Sequence, residues 1–175
     1  MKIKKLLSLI IMITLVCSNP SISIESIVFI DMNKVLYDSK VGKSIINQLN
    51  KREKKLKKKF DNLKKDIQDK EKNIINKKNI ISNEEFNKEI NAVKLEINEF
   101  NKESRKNSND LQKLRIKSTE TFFKALNPIL LKYSIDNSIS MIIQKKNLVI
   151  GKNELDVTDK VIGVIDTTMS EITIK

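Results

Sequence analysis

The chain has 175 residues, 32% of them charged, with three glycines, two prolines, no tryptophan and a net charge of +12. Such a composition describes a mostly helical chain with few turns, whose charge suits acidic partners, anionic lipid surfaces or nucleic acid. There is no histidine and a single cysteine, Cys17, so zinc and thiol chemistry have little to build on, and acid–base work would fall to carboxylates, lysine or tyrosine. Neither an enzyme nor a metal- or cofactor-dependent protein is expected.

In chain order, Lys2, Lys4 and Lys5 come before an apolar run over residues 6–16, followed by the small and polar residues 17–23. This is the pattern of a secretory leader over residues 1–23. The apolar run is shorter than the ~20 residues a membrane-spanning helix needs. No A-x-A site is present; Ser21 and Ser23 fill the small-residue positions for a mature chain starting near Ile24, and a cut after Ser18 is the alternative. A lipoprotein requires a small residue before the modified cysteine, and Val16 stands before Cys17. Loss of the leader removes Cys17 and three lysines, which takes the charge from +12 to +9.

Ile27-Val28-Phe29-Ile30 reads as a strand, with Asp31 or Asn33 as the cap of a helix whose apolar positions include Val35, Leu36 and Val41. Gly42-Lys43-Ser44 resembles the end of a phosphate-binding loop, but the glycine required five positions earlier is Tyr37, inside a helical pattern. The long middle follows. Ile45, Leu49, Leu56, Phe60, Leu63, Ile67 and Ile74 recur at coiled-coil spacing, with Arg52 and Lys70 in the missing seam positions. The step from Arg52 through Leu56 to Phe60 is a stutter that relaxes left-handed supercoiling. The phase is lost at Ile80-Ile81, where Ser82 and Glu85 form a capping box that begins a second helix. Its seam is Phe86, Ile90, Val93, Ile97, Phe100, Ser104, Asn107, Leu111, Leu114, Ser118, Phe122 and Ala125.

Two such helices joined by a short turn pack antiparallel. Arms of 35 to 45 residues would each reach about 50 to 65 Å. Thirteen basic residues face five acidic ones between Lys51 and Lys78, whereas the returning arm is balanced. These charges could simply solvate the helix and pair across it, each pair contributing a few tenths of a kcal/mol.

After Pro128 the helix is expected to continue only briefly. Ser140-Met141-Ile142-Ile143 and Leu148-Val149-Ile150 then read as two strands of a β-hairpin around Gln144-Lys145-Lys146-Asn147. A last helix starts at Thr158 with Val161, Ile162, Ile165 and Met169 on its apolar face. The predicted fold is mainly α with a small β component. A coiled-coil hairpin over residues 46–127, its tip near 75–86, projects from a small α+β body of residues 24–45 and 128–175. So small a core with so few aromatics favours self-association.

The strand and helix start at residues 27–36, Ser39-x-x-Gly42-Lys43, the charged hairpin, Ile139-Ser140-Met141-Ile142-Ile143 and Asp156-Val157-Thr158-Asp159-Lys160-Val161-Ile162 resemble, in that order, the Skp/OmpH family of periplasmic chaperones. The resemblance implies a homotrimer whose bodies form a small β-barrel and whose hairpins hang as tentacles around unfolded outer-membrane proteins, holding them from aggregation without ATP. Client contacts would then fall on Lys55, Lys58, Lys59, Lys64 and Lys65 of the outgoing arm and on Ile75, Lys77, Lys78, Ile80 and Ile81 at the tip. Ile74 and Phe86, by contrast, stand on the seam, and Ile75 and Ile81 are the stronger apolar candidates. The basic arm also suits an anionic lipid or lipopolysaccharide surface. Nucleic acid is not expected, since the chain is exported and lacks aromatic stacking platforms. The rival role is an exported structural coiled coil or envelope-assembly subunit that holds no client.

Overall fold

The computed structural model describes residues 26–174, so the leader expected over residues 1–23, with Cys17, lies outside the described residues. Strand β1 (Ser26–Ile30) leads into the short helix α1 (Met32–Asp38), then two long helices, α2 (Lys40–Lys77) and α3 (Asn83–Asp136). Strand β2 (Ile139–Gln144), two single 3-10 turns and the closing helix α4 (Thr158–Thr168) complete the order. The fold is mainly α with a small β component, as predicted.

The first three helices each start where a side chain can take an orphan amide. Asp31 caps α1, its carboxylate accepting from Lys34 N at 3.0 Å. Ser39 caps α2 by accepting from Gly42 N at 3.1 Å. Gly42 is required by close approach: a Cβ there would run into the Leu36 carbonyl at the end of α1. The Gly42-Lys43-Ser44 string is therefore a helix start pressed against another helix. The Asp166 carboxylate accepts from Lys40 N at 2.7 Å and ties the positive end of α2 to α4.

Helices α2 and α3, of 38 and 54 residues, span about 57 and 81 Å at ~1.5 Å per residue. They pack as the predicted antiparallel hairpin. The second helix outruns the expected arm length because it continues into the body, where Phe122 and Leu126 are fully enclosed. Pro128 lies inside α3 and does not end it. Proline removes one bond, to the Lys124 carbonyl, and both residues are exposed, so water can satisfy that group. Buried Leu126 and Tyr133 pin the helix on either side.

One cluster forms the body's core: Val28 and Ile30 of β1, Val35 of α1, Ile45 and Leu49 of α2, Phe122 and Leu126 of α3, and Val161 and Ile165 of α4. The predicted apolar face of α4 is therefore the packed one, with Ile162 and Met169 partly buried beside it.

The sheet corrects the sequence reading. The expected hairpin between residues 140–143 and 148–150 does not form; β2 pairs instead with β1, in parallel, with Val28 opposite Ile142. Gln144-Lys145-Lys146-Asn147 lacks the glycine or left-handed residue of a tight hairpin turn. Residues Lys145–Asn147 make a 3-10 turn closed by Leu148 N donating to Lys145 O at 3.0 Å, which leads the chain away. Val149 and Ile150 are left 104% and 90% exposed. Parallel strands need a long crossover, and here α1, α2 and α3 together are that crossover.

Candidate functional site

The hairpin seam is thin. Ile74 and Val93 are buried near the tip, and Phe60 meets Phe100 edge-on at mid-arm, with ring centroids 5.7 Å apart and planes at 75°. Between that pair and the body the stutter opens a groove of about 580 Å³, floored by Leu56, Leu111 and Leu114 and rimmed by Arg52, Lys55, Lys59 and Asp110. Toward the tip a second groove of about 320 Å³ runs beside Leu63 and Ile67. Leu63, expected on the seam, is exposed.

The uncharged seam residues Asn107 and Ser118 do not bridge the arms. Asn107 Nδ2 donates to Glu103 O at 2.8 Å and Ser118 Oγ to Leu114 O at 2.7 Å, so both are satisfied within α3. Ion pairs cross the seam instead: Lys59–Glu103 at 3.1 Å, Lys70–Glu96 at 2.7 Å, Arg115–Glu53 at 2.6 Å and Lys77–Glu89 at 3.9 Å. All are largely exposed, and such pairs contribute only ~0–1 kcal/mol each.

These contacts sort the predicted site residues. Lys59 and Lys77 face acids of the other arm, and Lys59 also lies 5.4 Å from the Phe60 ring centroid. Among the described residues, Lys55, Lys58, Lys64 and Lys65 are exposed and make no ion pair. At 3.6 residues per turn, Lys58 and Lys65 project from the side of α2 opposite the seam. Lys78 sits 5.9 Å from the Phe86 ring centroid. At the tip, Ile80 N and Ile81 N both donate to Lys77 O, at 2.8 and 3.1 Å, and Ser82 accepts from Glu85 N at 3.2 Å. The turn places Ile75 and Ile80 in solvent, 63% and 81% exposed, half-buries Ile81 and encloses Ile74.

Sequence reasoning passed over Leu95 and Ile116, 70% and 53% exposed on α3. Each follows a seam residue, Val93 or Leu114, by two positions, which turns it to the opposite side of the helix; the two stand three heptads apart, on one outward stripe. An apolar residue out of phase with the seam was the signal.

The architecture is a slender two-helix arm carrying cations and out-of-phase apolar side chains, rooted in a small α+β body. The family described as outer membrane protein (OmpH-like) matches residues 26–165. The chain belongs to this OmpH-like family of periplasmic chaperones. The crystal structure of a candidate outer membrane chaperone (OmpH-like) from Caulobacter crescentus CB15 superposes with a TM-score of 0.81 at 13% identity, over 90% of this chain and 92% of that one. The same fold thus persists through nearly complete sequence change. No individual curated protein matches the sequence. Among the described residues no helix is long and apolar enough to cross a membrane.

Proposed function

We propose that the protein is an ATP-independent periplasmic holdase, exported by its leader, that binds unfolded outer-membrane proteins between the arms of a homotrimer and keeps them from aggregating. The observation that carries this reading is the pair Ile75 and Ile80, exposed beside Lys77 and Lys78 at the end of the arm. Hairpin closure uses their backbone but not their side chains, and at that distance the body cannot cover them. Together with Leu95 and Ile116 they offer weak apolar contacts along the arm, which add through multivalency. Lys55, Lys58, Lys64 and Lys65 add attraction for acidic clients or an anionic lipid or lipopolysaccharide surface, and Lys59, Lys77, Lys78 and Ile81 contribute once the arms part. Thin packing on both sides of Phe60 and Phe100 supports arms that open to clients of different size.

Self-association has its own support. The outer edge of β2 keeps its backbone groups open, whereas β1 is bridged at Phe29 by Asp156, and Val149, Ile150, Met141 and Leu131 expose apolar surface on the body. Three bodies joined through these surfaces would bring three hairpins around one cavity.

The test is aggregation of a urea-unfolded outer-membrane barrel diluted into buffer. Stoichiometric protein without ATP is expected to suppress light scattering, and sedimentation is expected to give a trimer. Undiminished scattering would sink the holdase reading in favour of a structural coiled-coil subunit, the role to which the cross-arm ion pairs lend some weight. A stable monomer would remove the cavity.

A further inference from the structure

Beyond α4 the chain turns back along the root of the hairpin. Met169 N closes the helix by donating to Ile165 O at 2.8 Å, and residues 171–174 then cross α2. Burial alternates along them: Glu171 and Thr173 are exposed, Ile172 is half-buried and Ile174 is 9% exposed within the core cluster. A two-residue period is that of an extended segment. The Gln48 side chain reads its backbone from both sides. Its Nε2 donates to Ile172 O at 2.9 Å and its Oε1 accepts from Ile174 N at 3.1 Å, as a neighbouring strand would. The Ser44 hydroxyl donates to the Glu171 carboxylate. Leu114, Ser118 and Thr121 of α3 form the facing wall.

Two features set this groove apart from ordinary body core. Recognition through backbone amides does not depend on which side chains the segment carries. Beside the two isoleucines runs a groove of about 210 Å³, open to solvent, with room for an aromatic ring on an occupant that carries one. The OmpH-like match ends at residue 165, so the segment lies outside the part of the chain that defines the family.

We propose that the groove between α2 and α3 at the root of the hairpin is a receptor for extended apolar–polar–apolar segments, occupied in cis by residues 171–174 and open in trans to a strand of unfolded client. The trans occupant rests on the holdase reading; the receptor itself does not. An unfolded β-barrel strand has the required period, and an aromatic residue on it has room in the groove beside Ile172 and Ile174. The cis segment would shield the site until such a strand displaces it.

A fluorescently labelled peptide with the sequence of residues 169–175 tests this by anisotropy. The intact chain should bind it poorly, because a tethered competitor acts at an effective concentration of order mM. The full-length variant Ile172→Ser/Ile174→Ser, with helicity unchanged by circular dichroism, should bind it at least about tenfold more tightly. Adding Gln48→Ala should abolish that gain, and a peptide with phenylalanine at the position of Ile174 should bind more tightly still. A release variant that binds no better than the intact chain, or binding that ignores Gln48→Ala, overturns the proposal. If the serines unfold the body, Gln48→Ala alone decides: faster amide exchange at Ile174 is expected, and unchanged exchange refutes the clasp. An unfolded barrel should displace the peptide from the release variant. Peptide capture by a protein that never suppresses barrel aggregation upholds the receptor and refutes the holdase reading. Suppression of aggregation without peptide capture or displacement does the reverse.

Discussion

Phe60 and Phe100 meet alone at mid-arm, with grooves of about 580 and 320 Å³ on either side, so truncating them should open the arms without touching the body. An enclosed phenylalanine buries ~150–250 Å². These are half-buried, so each loses about 100 Å² of contact, or about 2.5 kcal/mol at ~25 cal/mol per Å². Edge-to-face geometry adds ~1 kcal/mol that belongs to both rings, so Phe60→Ala with Phe100→Ala should cost about 6 kcal/mol, about 1 kcal/mol less than the sum of the single changes. Hydrogen exchange at mid-arm amides reads this directly, since ~1.4 kcal/mol is a factor of ten. The double variant should exchange there roughly ten-thousandfold faster, with Val35 and Val161 in the body unchanged. Equal acceleration in arm and body would show that the hairpin unfolds only with the whole protein. Strict additivity would show that the rings do not act as a pair. Either result would refute the account of Phe60 and Phe100 as the clasp at mid-arm.

Four further outcomes follow from the geometry. Lys58→Glu with Lys65→Glu should weaken client binding and flatten its salt dependence while leaving thermal stability alone, whereas Lys59→Glu also costs up to ~1 kcal/mol through Glu103; equal client affinity at low and moderate salt would assign these lysines to solvation only. Gly42→Ala should destabilise by ~1–3 kcal/mol in urea unfolding, although alanine is the better helix former, because the new methyl meets the Leu36 carbonyl. Ser138 follows α3 with φ of 52°, so Ser138→Gly should raise stability by about 1 kcal/mol in thermal melts. Burial pushes the Asp156 carboxyl up, but hydrogen bonds from the Thr158 hydroxyl and amide and from Lys145 outweigh it and hold it below the usual carboxylate range. Its folded-state pKa is the depressed one, so its contribution is present above ~pH 4 and lost as pH falls through the folded value. Melting curves between neutral and strongly acidic pH should show Asp156→Asn losing less stability on acidification than the intact chain.

What the sequence made legible was local chemistry repeated many times. Seam residues from Ile45 to Phe122, the Ser82 cap and the apolar face of α4 each follow from spacing or from a single amide that needs a partner. Residues 148–150 were misread because an apolar run carries no label for the strand it will join; the partner of β2 lies on the far side of the hairpin, and only register could name it. At the tip, the sequence favours Ile81 as an exposed contact, and the turn reverses this by leaving Ile80 in solvent and half-burying Ile81. Nothing near Gln48 in the sequence marks its role, since its partners Ile172 and Ile174 come more than 120 residues later.

The parallel pairing of β1 with β2 fixes an order of assembly. Ile30 finds Gln144 only after every residue of both arms has been made, and closing so long a loop unaided carries a large entropic cost. Zippering begins with contacts local in sequence, at Ile74 and Val93 near the turn, and each step toward the root shortens the loop still to be closed. When Leu49 reaches Phe122 the two strand ends are already neighbours. The arm is thus the template on which its own body folds, and a chain arrested before β2 emerges would hold a finished hairpin over an unmade core.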